Sequence, residues 1–242
     1  MKNIMKRLTL SAVTLLCLVS LTAFASSEVI RLENAHANGN DQASVMRGAK
    51  FFAANCMSCH TMRYLAHNKL AEEAGVVLDK MPLEQKEWWL GAVPPDLTLL
   101  GRTRSANWIY TYFHSFYKDQ DRPSGYNNLL VEDINMPNIF AGLQGEQTLT
   151  RRGIELLEDH GTEKPHYYSI LKLEKSGSMS AEEFNNTATD LVNFFLYAAD
   201  PNKLHREHLG VFVILFLFVL FILAFLLKRA YWKDVPKKKR VD

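Results

Sequence analysis

The stretch Phe52-Ala53-Ala54-Asn55-Cys56-Met57-Ser58-Cys59-His60 decides how this 242-residue chain is read. Its last five residues form C-x-x-C-H, the attachment signature of a c-type haem. Two thiols three positions apart can reach the two vinyl groups on one porphyrin edge and form thioethers. The adjacent imidazole then folds beneath the ring and ligates iron through one nitrogen. A thioredoxin-like dithiol would sit near a βαβ pattern, and none precedes residue 56. A structural zinc site needs four ligands, usually from two Cys-rich clusters. Apart from Cys17 the chain has no further cysteine.

Working outward, both chain ends address the motif to a membrane. Lys2, Lys6 and Arg7 precede an apolar stretch from Leu8 to Leu21, and Ala23-Phe24-Ala25 follows as an A-x-A cleavage site. That order predicts a cleaved signal peptide over residues 1–25. Cys17 lies within it, so the mature chain keeps only Cys56 and Cys59, and a multi-disulfide framework is excluded. Near the other end, residues 209–227 carry no charged or polar side chain. At the helical rise they span about 28 Å, close to the hydrocarbon thickness of a bilayer. Tyr231 and Trp232 stand where interfacial aromatics anchor a span. Seven cations crowd residues 228–242 and place that tail in the cytoplasm. Residues 26–208 are thereby an exported domain hung on one C-terminal transmembrane helix.

Net charge over the whole chain is +2, yet residues 26–208 hold 18 basic against 24 acidic side chains. A nucleic-acid binder would carry positive charge on its folded domain, so that class is excluded. Within the domain three stretches have helical periodicity. Asp41 is an N-cap for a helix burying Val45, Ala49 and Phe52. Ile109, Tyr112, Phe113 and Phe116 form a stripe that predicts a helix over 107–117. Ser180 and Glu183 make a capping box for a helix through Phe184, Ala188, Leu191, Phe195 and Ala198 that stops at Asp200-Pro201. Long Pro- and Gly-bearing stretches separate them, and alternating strand patterns are scarce. The expected class is mostly α with extensive loops and short strands.

Residue type leaves the sixth iron position open. Met136 and Met179 lie where a thioether could approach, with spacing modestly favouring Met136, whereas Met81 precedes Pro82 and comes early, before the aromatic helix. Met136, in Asn135-Met136-Pro137-Asn138, sits on a loop that proline holds out of helix, and Met179 sits on a Gly/Ser turn. His67, His114, His160 and His166 keep bis-histidine ligation open, and an open iron site would imply ligand binding or catalysis instead.

The ordered set goes further. After the haem motif come Val93-Pro94-Pro95-Asp96-Leu97-Thr98, Arg102-Thr103-Arg104, Trp108-Ile109-Tyr110, Asn127-Asn128-Leu129-Leu130 and Ile134-Asn135-Met136-Pro137-Asn138. A terminal span ends in Lys228-Arg229-Ala230-Tyr231-Trp232-Lys233-Asp234-Val235. Over nearly the whole mature chain this resembles the cytochrome c1 family of bacterial type, the haem-c subunits of ubiquinol–cytochrome c reductase (cytochrome bc1) complexes. The resemblance implies a class I cytochrome c-like haem domain with long loop insertions, plus the single C-terminal transmembrane helix. It implies one covalent haem c on Cys56 and Cys59, with iron held by His60 and Met136. Pro94 and Pro95 would pack beside the haem, and Arg104 would pair with a propionate. The aromatic that the resemblance implies near the other propionate would be Trp108, where many relatives have Tyr.

Partners implied by the resemblance are a cytochrome b subunit, a Rieske iron–sulfur protein and a soluble or tethered cytochrome c, in a dimeric complex of the bacterial inner membrane. The chain itself would be an electron carrier, and an enzyme only as part of ubiquinol–cytochrome c oxidoreductase. The alternatives are a stand-alone membrane-anchored monohaem cytochrome feeding an oxidase, and a ligand-binding or catalytic haem protein with an open iron site.

Overall fold

Two helices capped as their sequences require form the frame of the domain. In the computed structural model, which describes residues 29–65, 67–83, 91–158 and 164–233, α1 spans Gln42–Asn55. The Asp41 carboxylate accepts hydrogen bonds from the Ala43 and Ser44 amides, satisfying donors the helix start leaves free. The signal-peptide stretch, His160 and residues 234–242 lie outside the described residues. After α1 come α2 (Lys69–Glu73), α3 (Leu100–Thr103) and α4 (Ala106–His114). Strands β1 (Phe116–Lys118), β2 (Tyr126–Asn128) and β3 (Gly145–Leu149) follow, then α5 (Arg151–Glu158), α6 (Tyr167–Ile170) and β4 (Leu171–Ser176). The chain closes with α7 (Ala181–Ala199) and α8 (Lys203–Lys233). The capping box of α7 is complete, with Ser180 accepting from the Glu183 amide and Glu183 accepting from the Ser180 amide.

The principal packing is α1 against α7. Val45, Ala49 and Phe52 are fully buried, and Phe52 meets Phe194 and Phe195 at centroid distances of 5.6 and 6.0 Å. Gly48 permits the approach: a Cβ there would lie 2.0 Å from the Asp190 carbonyl oxygen. Gly101 does the same for α3, since its Cβ would stand 2.6 Å from the Phe195 carbonyl oxygen. A polar seam fixes the register of the two long helices. Arg47 donates both Nε and Nη2 to the Asp190 carboxylate at 2.6 Å, Ser44 donates to it at 2.6 Å, and Asn193 donates to Ser44 at 2.7 Å.

Helix α4 ends at His114, three residues short of the periodicity in its sequence, and Phe116 belongs to β1. The cause is Asn128, whose Nδ2 donates to the Tyr112 carbonyl at 2.9 Å and occupies an acceptor at the helix end. Strand β1 then pairs antiparallel with β2, Phe116 opposite Asn128. The segment 140–178 forms a second antiparallel pair, β3 with β4, which carries a bulge at Glu146/Gln147. Gln147 Nε2 donates to the carbonyls of His114 and Phe116, at 2.8 and 3.0 Å, and ties this excursion to the main body. A small second core of Ile30, Ile170 and Leu171 lies beneath it.

Helix α8 is 31 residues long with a mean hydropathy of 3.3 over its most apolar window, and none of that window is buried. It extends the predicted span over 209–227 by about two turns on either side. By length and composition it is suited to cross a membrane.

Candidate functional site

The end of α1 delivers the two cysteines. As the helix unwinds, the Cys59 and His60 amides donate to the Cys56 carbonyl at 3.1 and 2.9 Å, which folds the five-residue motif into a compact turn. Cys56 is buried and Cys59 partly so; both are free thiols. Burial, reinforced by Cys59, pushes the Cys56 thiol up to about 12. An enclosed, protonated sulfur is a poor redox thiol, because the thiolate is the reactive form. That agrees with a structural or covalently attached role.

His60 leaves the turn with its ring fixed. Its Nδ1 lies 2.8 Å from the Pro95 carbonyl oxygen. A carbonyl can only accept, so the proton sits on Nδ1 and the Nε2 lone pair is left free for a metal. Burial lowers the pKa of His60, against the opposing effects of the Pro95 bond and the Asp96 charge, and so favours the neutral, ligating form.

The Pro95 carbonyl is itself held in place by Asp96. The Asp96 carboxylate accepts from Thr61 Oγ1 at 2.7 Å, the Arg63 amide at 2.8 Å and the Thr98 amide at 2.9 Å, while the Leu97 amide donates to the Thr61 carbonyl. Burial alone would raise the pKa of Asp96, but these donors outweigh it and hold the group below its ordinary 3.8. Stability from this depressed pKa is fully present above that ordinary value and is lost as pH falls through the lower folded value. Asp96→Asn presents an amide to donors and should be destabilised at neutral pH. Denaturant titrations should show the gap from the native chain closing below about pH 4. A gap that persists unchanged into stronger acid would mean Asp96 carries no such charge.

The motif faces a predominantly apolar cleft of about 420 Å³. Cys56, Cys59, His60, Pro94, Pro95, Trp108 and Met136 all line it. Seven of the eight residues singled out from sequence therefore converge on one space. The eighth, Arg104, is exposed at the end of α3, its guanidinium carbon 4.5 Å from the centroid of the Trp108 ring. Further walls come from Leu97, Leu100, Phe113, Ile139, Phe140 and Leu191.

Among the described residues, Met136 and His60 are the only methionine and histidine lining this cleft. The other candidates are engaged elsewhere. The Met81 sulfur accepts from the Met62 amide at 3.2 Å, and the Met179 sulfur lies 3.8 Å from the Thr187 hydroxyl. His114 is buried, with its two nitrogens against the Tyr110 carbonyl and Asn185. His166 Nδ1 meets Glu33, and His67 is solvent-facing beside Glu72.

One residue lining the cleft was not singled out from the sequence. The buried Tyr112 hydroxyl points at Met136 and donates to its sulfur at 3.1 Å. Burial alone pushes its pKa upward, so it stays a donor. Its ring stacks on Trp108, centroids 5.3 Å apart and 10° from parallel. Only the apolar stripe of α4 was visible in the sequence, and a tyrosine there looks like packing.

Comparison with known proteins is consistent with this geometry. The model of the Cytochrome C1 family matches residues 33–88 and 175–235, which carry the attachment turn and the last two helices. The chain is 39% identical to cytochrome c1 of Allochromatium vinosum over 96% of its own length and the whole of that protein. The chain belongs to the cytochrome c1 family. It is also 33% identical to the ammonia monooxygenase gamma subunit of Nitrosomonas europaea, over 90% of this chain and 94% of that one. Cytochrome c1 of Rhodobacter capsulatus is 21% identical over 97% of this chain and all of its own. Membership of this electron-transfer family implies a covalent haem c. The donor set fits it: two free thiols, one imidazole with Nε2 available and one thioether line a single apolar space.

Proposed function

We propose that this chain is the haem-c subunit of a ubiquinol–cytochrome c reductase. It accepts an electron from a Rieske iron–sulfur protein and passes it to a soluble or tethered periplasmic cytochrome c. The observation that carries this reading is the composition of the cleft, where the described chain supplies one imidazole and one thioether beside both cysteines. Cys56 and Cys59 would hold the group covalently, and His60 and Met136 would supply it with one nitrogen and one sulfur ligand, which suits electron transfer rather than substrate binding. When bound, haem supplies a one-electron redox change, at a potential raised by a Met/His ligand pair.

The remaining residues position and insulate. Pro94 and Pro95 give the wall next to His60 a fixed backbone that lacks amide donors. Trp108 and Arg104, whose guanidinium carbon lies 4.5 Å over the Trp108 ring, would pair with the propionates of the bound group. Helix α8 anchors the domain on the periplasmic face of the inner membrane, with the basic tail in the cytoplasm. There it lies against a cytochrome b subunit within a dimeric complex.

Tyr112 tunes the ligand. A hydrogen bond to a thioether sulfur withdraws electron density, which favours the reduced metal. Tyr112→Phe keeps the ring between Trp108 and Phe116 and removes only the bond. A redox titration should give a lower midpoint potential, with folding stability changed by about 1 kcal/mol. An unchanged potential would remove Tyr112 from this role.

The likeness to an ammonia monooxygenase gamma subunit favours a second reading, in which the same haem domain serves that other assembly. Purification of the tagged chain from membranes in mild detergent separates the two. A b-type haem subunit and a Rieske protein should co-purify in stoichiometric amount. Recovery with monooxygenase subunits supports the second reading, and recovery alone supports a stand-alone carrier. Carbon monoxide binding by the native reduced protein would point to an open iron site instead.

A further inference from the structure

The loop that carries Met136 is gripped from outside the cleft by Arg122, a residue with no part in the site described so far. Arg122 lies in the turn joining β1 to β2. That turn is closed by hydrogen bonds from the Asp119 amide to the Gly125 carbonyl and from the Gly125 amide to the Arg122 carbonyl. From there its guanidinium crosses to the ligand loop. Nη1 donates to Asp133 Oδ1 at 2.8 Å, and Nη2 donates to the Asp133 backbone carbonyl and to Asn135 Oδ1, the latter at 3.3 Å. One planar fork thus reads a carboxylate, a main-chain carbonyl and a side-chain amide within the three residues preceding Met136.

Three features separate this from an ordinary surface ion pair. The Arg122 side chain is only 17% exposed, whereas Asp133 is 72% exposed. The arginine is therefore substantially desolvated for a partner that stays largely in water, a poor arrangement if charge pairing were its purpose. Among the described residues its buried Nε finds no hydrogen-bond partner, a further cost of holding the fork in this orientation. Asp133 sits at a φ of +55°, in the left-handed region that few non-glycine residues occupy and that Asp tolerates better than most. The second anchor of the same loop is weaker: the Ile134 amide reaches Asn127 Oδ1 at 3.4 Å.

We infer that Arg122 is a positioning residue for the axial methionine: by clamping residues 133–135 it keeps Met136 in the cleft and sets how readily an outside ligand can replace it. The inference rests on Met136 as an iron ligand. Ferric iron binds a soft thioether less well than ferrous iron does, so the clamp matters most in the oxidised state. There a released loop lets a competing ligand in.

The test uses the full-length haem-loaded protein in detergent. The rate at which ferric protein takes up imidazole is followed by absorption, together with hydrogen exchange at the amides of residues 133–136. Losing hydrogen bonds from a charged donor should speed uptake about tenfold or more in Arg122→Gln and raise exchange in the loop. Arg122→Lys, which keeps the charge but not the fork, should lie between that variant and the native chain. Asp133→Ala, an exposed change that spares the arginine, should show a smaller increase and serves if Arg122→Gln does not assemble. Native uptake rates in a folded Arg122→Gln, or in Asp133→Ala where it alone folds, overturn the clamp. Met136→Leu is the control. If it opens the iron and the clamp variants do not, only the clamp fails; if it changes nothing, the ligand assignment fails.

Discussion

Met136→Leu, matured with haem, should bind carbon monoxide in the reduced state, and the native chain should not. Leucine nearly matches methionine in volume and remains apolar, so the packing cost in the cleft should stay below about 1.5 kcal/mol. The lone-pair donor is what disappears. Among the described residues no other methionine and no second histidine lines the cleft to replace it. The buried Tyr112 hydroxyl also loses its acceptor, at a cost of about 1–3 kcal/mol. The midpoint potential should fall by on the order of 0.1 V or more, since axial ligand identity is the strongest lever on it. Delivery of electrons to cytochrome c should slow at least about tenfold as a result. A carbon monoxide difference spectrum and a redox titration read both effects. A variant that binds no carbon monoxide and keeps its potential would assign the sixth ligand elsewhere, Met179 being the first to examine.

Gly48→Ala should be the most damaging single-methyl change in the frame. The added carbon would lie 2.0 Å from the Asp190 carbonyl oxygen and 2.9 Å from the Phe194 Cβ. The first of these is helix backbone and cannot rotate away. Relief requires α1 and α7 to separate, which loosens Phe52 from Phe194 and Phe195 and stretches the Arg47–Asp190 pair. Overpacking of this kind should cost at least about 3 kcal/mol, a large share of the roughly 5–15 kcal/mol that holds a domain together. The chain should then accumulate poorly in the membrane and be cut readily by protease. Gly142→Ala is the contrast, because nothing lies within 4 Å of its added carbon. Equal stability of the two variants would mean that the helices do not meet as closely as described.

Where the sequence was legible, local chemistry and tertiary packing agreed. Asp41 and the Ser180/Glu183 box mark helix starts that the structure keeps, and the apolar spacing of Val45, Ala49 and Phe52 is the buried face itself. Of the residues lining the cleft, Cys56, Cys59 and His60 were legible because thiol and imidazole chemistry is tied to residue type, whereas Pro94, Pro95, Trp108 and Met136 were reached through the family resemblance. Helix α4 was read too long because Phe116 continues its stripe, while the group that ends it, Asn128, comes fourteen residues after His114. The β3–β4 pair gave no signal for a different reason. Its inward residues on β3 are Gly145 and the polar Gln147, and every residue of β4 after Leu171 is exposed, so no apolar alternation survives in the sequence. Tyr112 and Arg122 were silent because their roles depend on partners 24 and 11 to 13 residues away.

Covalent attachment through Cys56 and Cys59 is tested most directly on the full-length chain expressed alongside a competent haem-attachment apparatus. The purified protein is denatured, extracted with acidified acetone and examined by its pyridine haemochrome spectrum. The expected result is haem that stays with the polypeptide and gives the spectrum of a porphyrin with both vinyl groups saturated, one per chain. A colourless chain, or haem that leaves with the solvent, would contradict it.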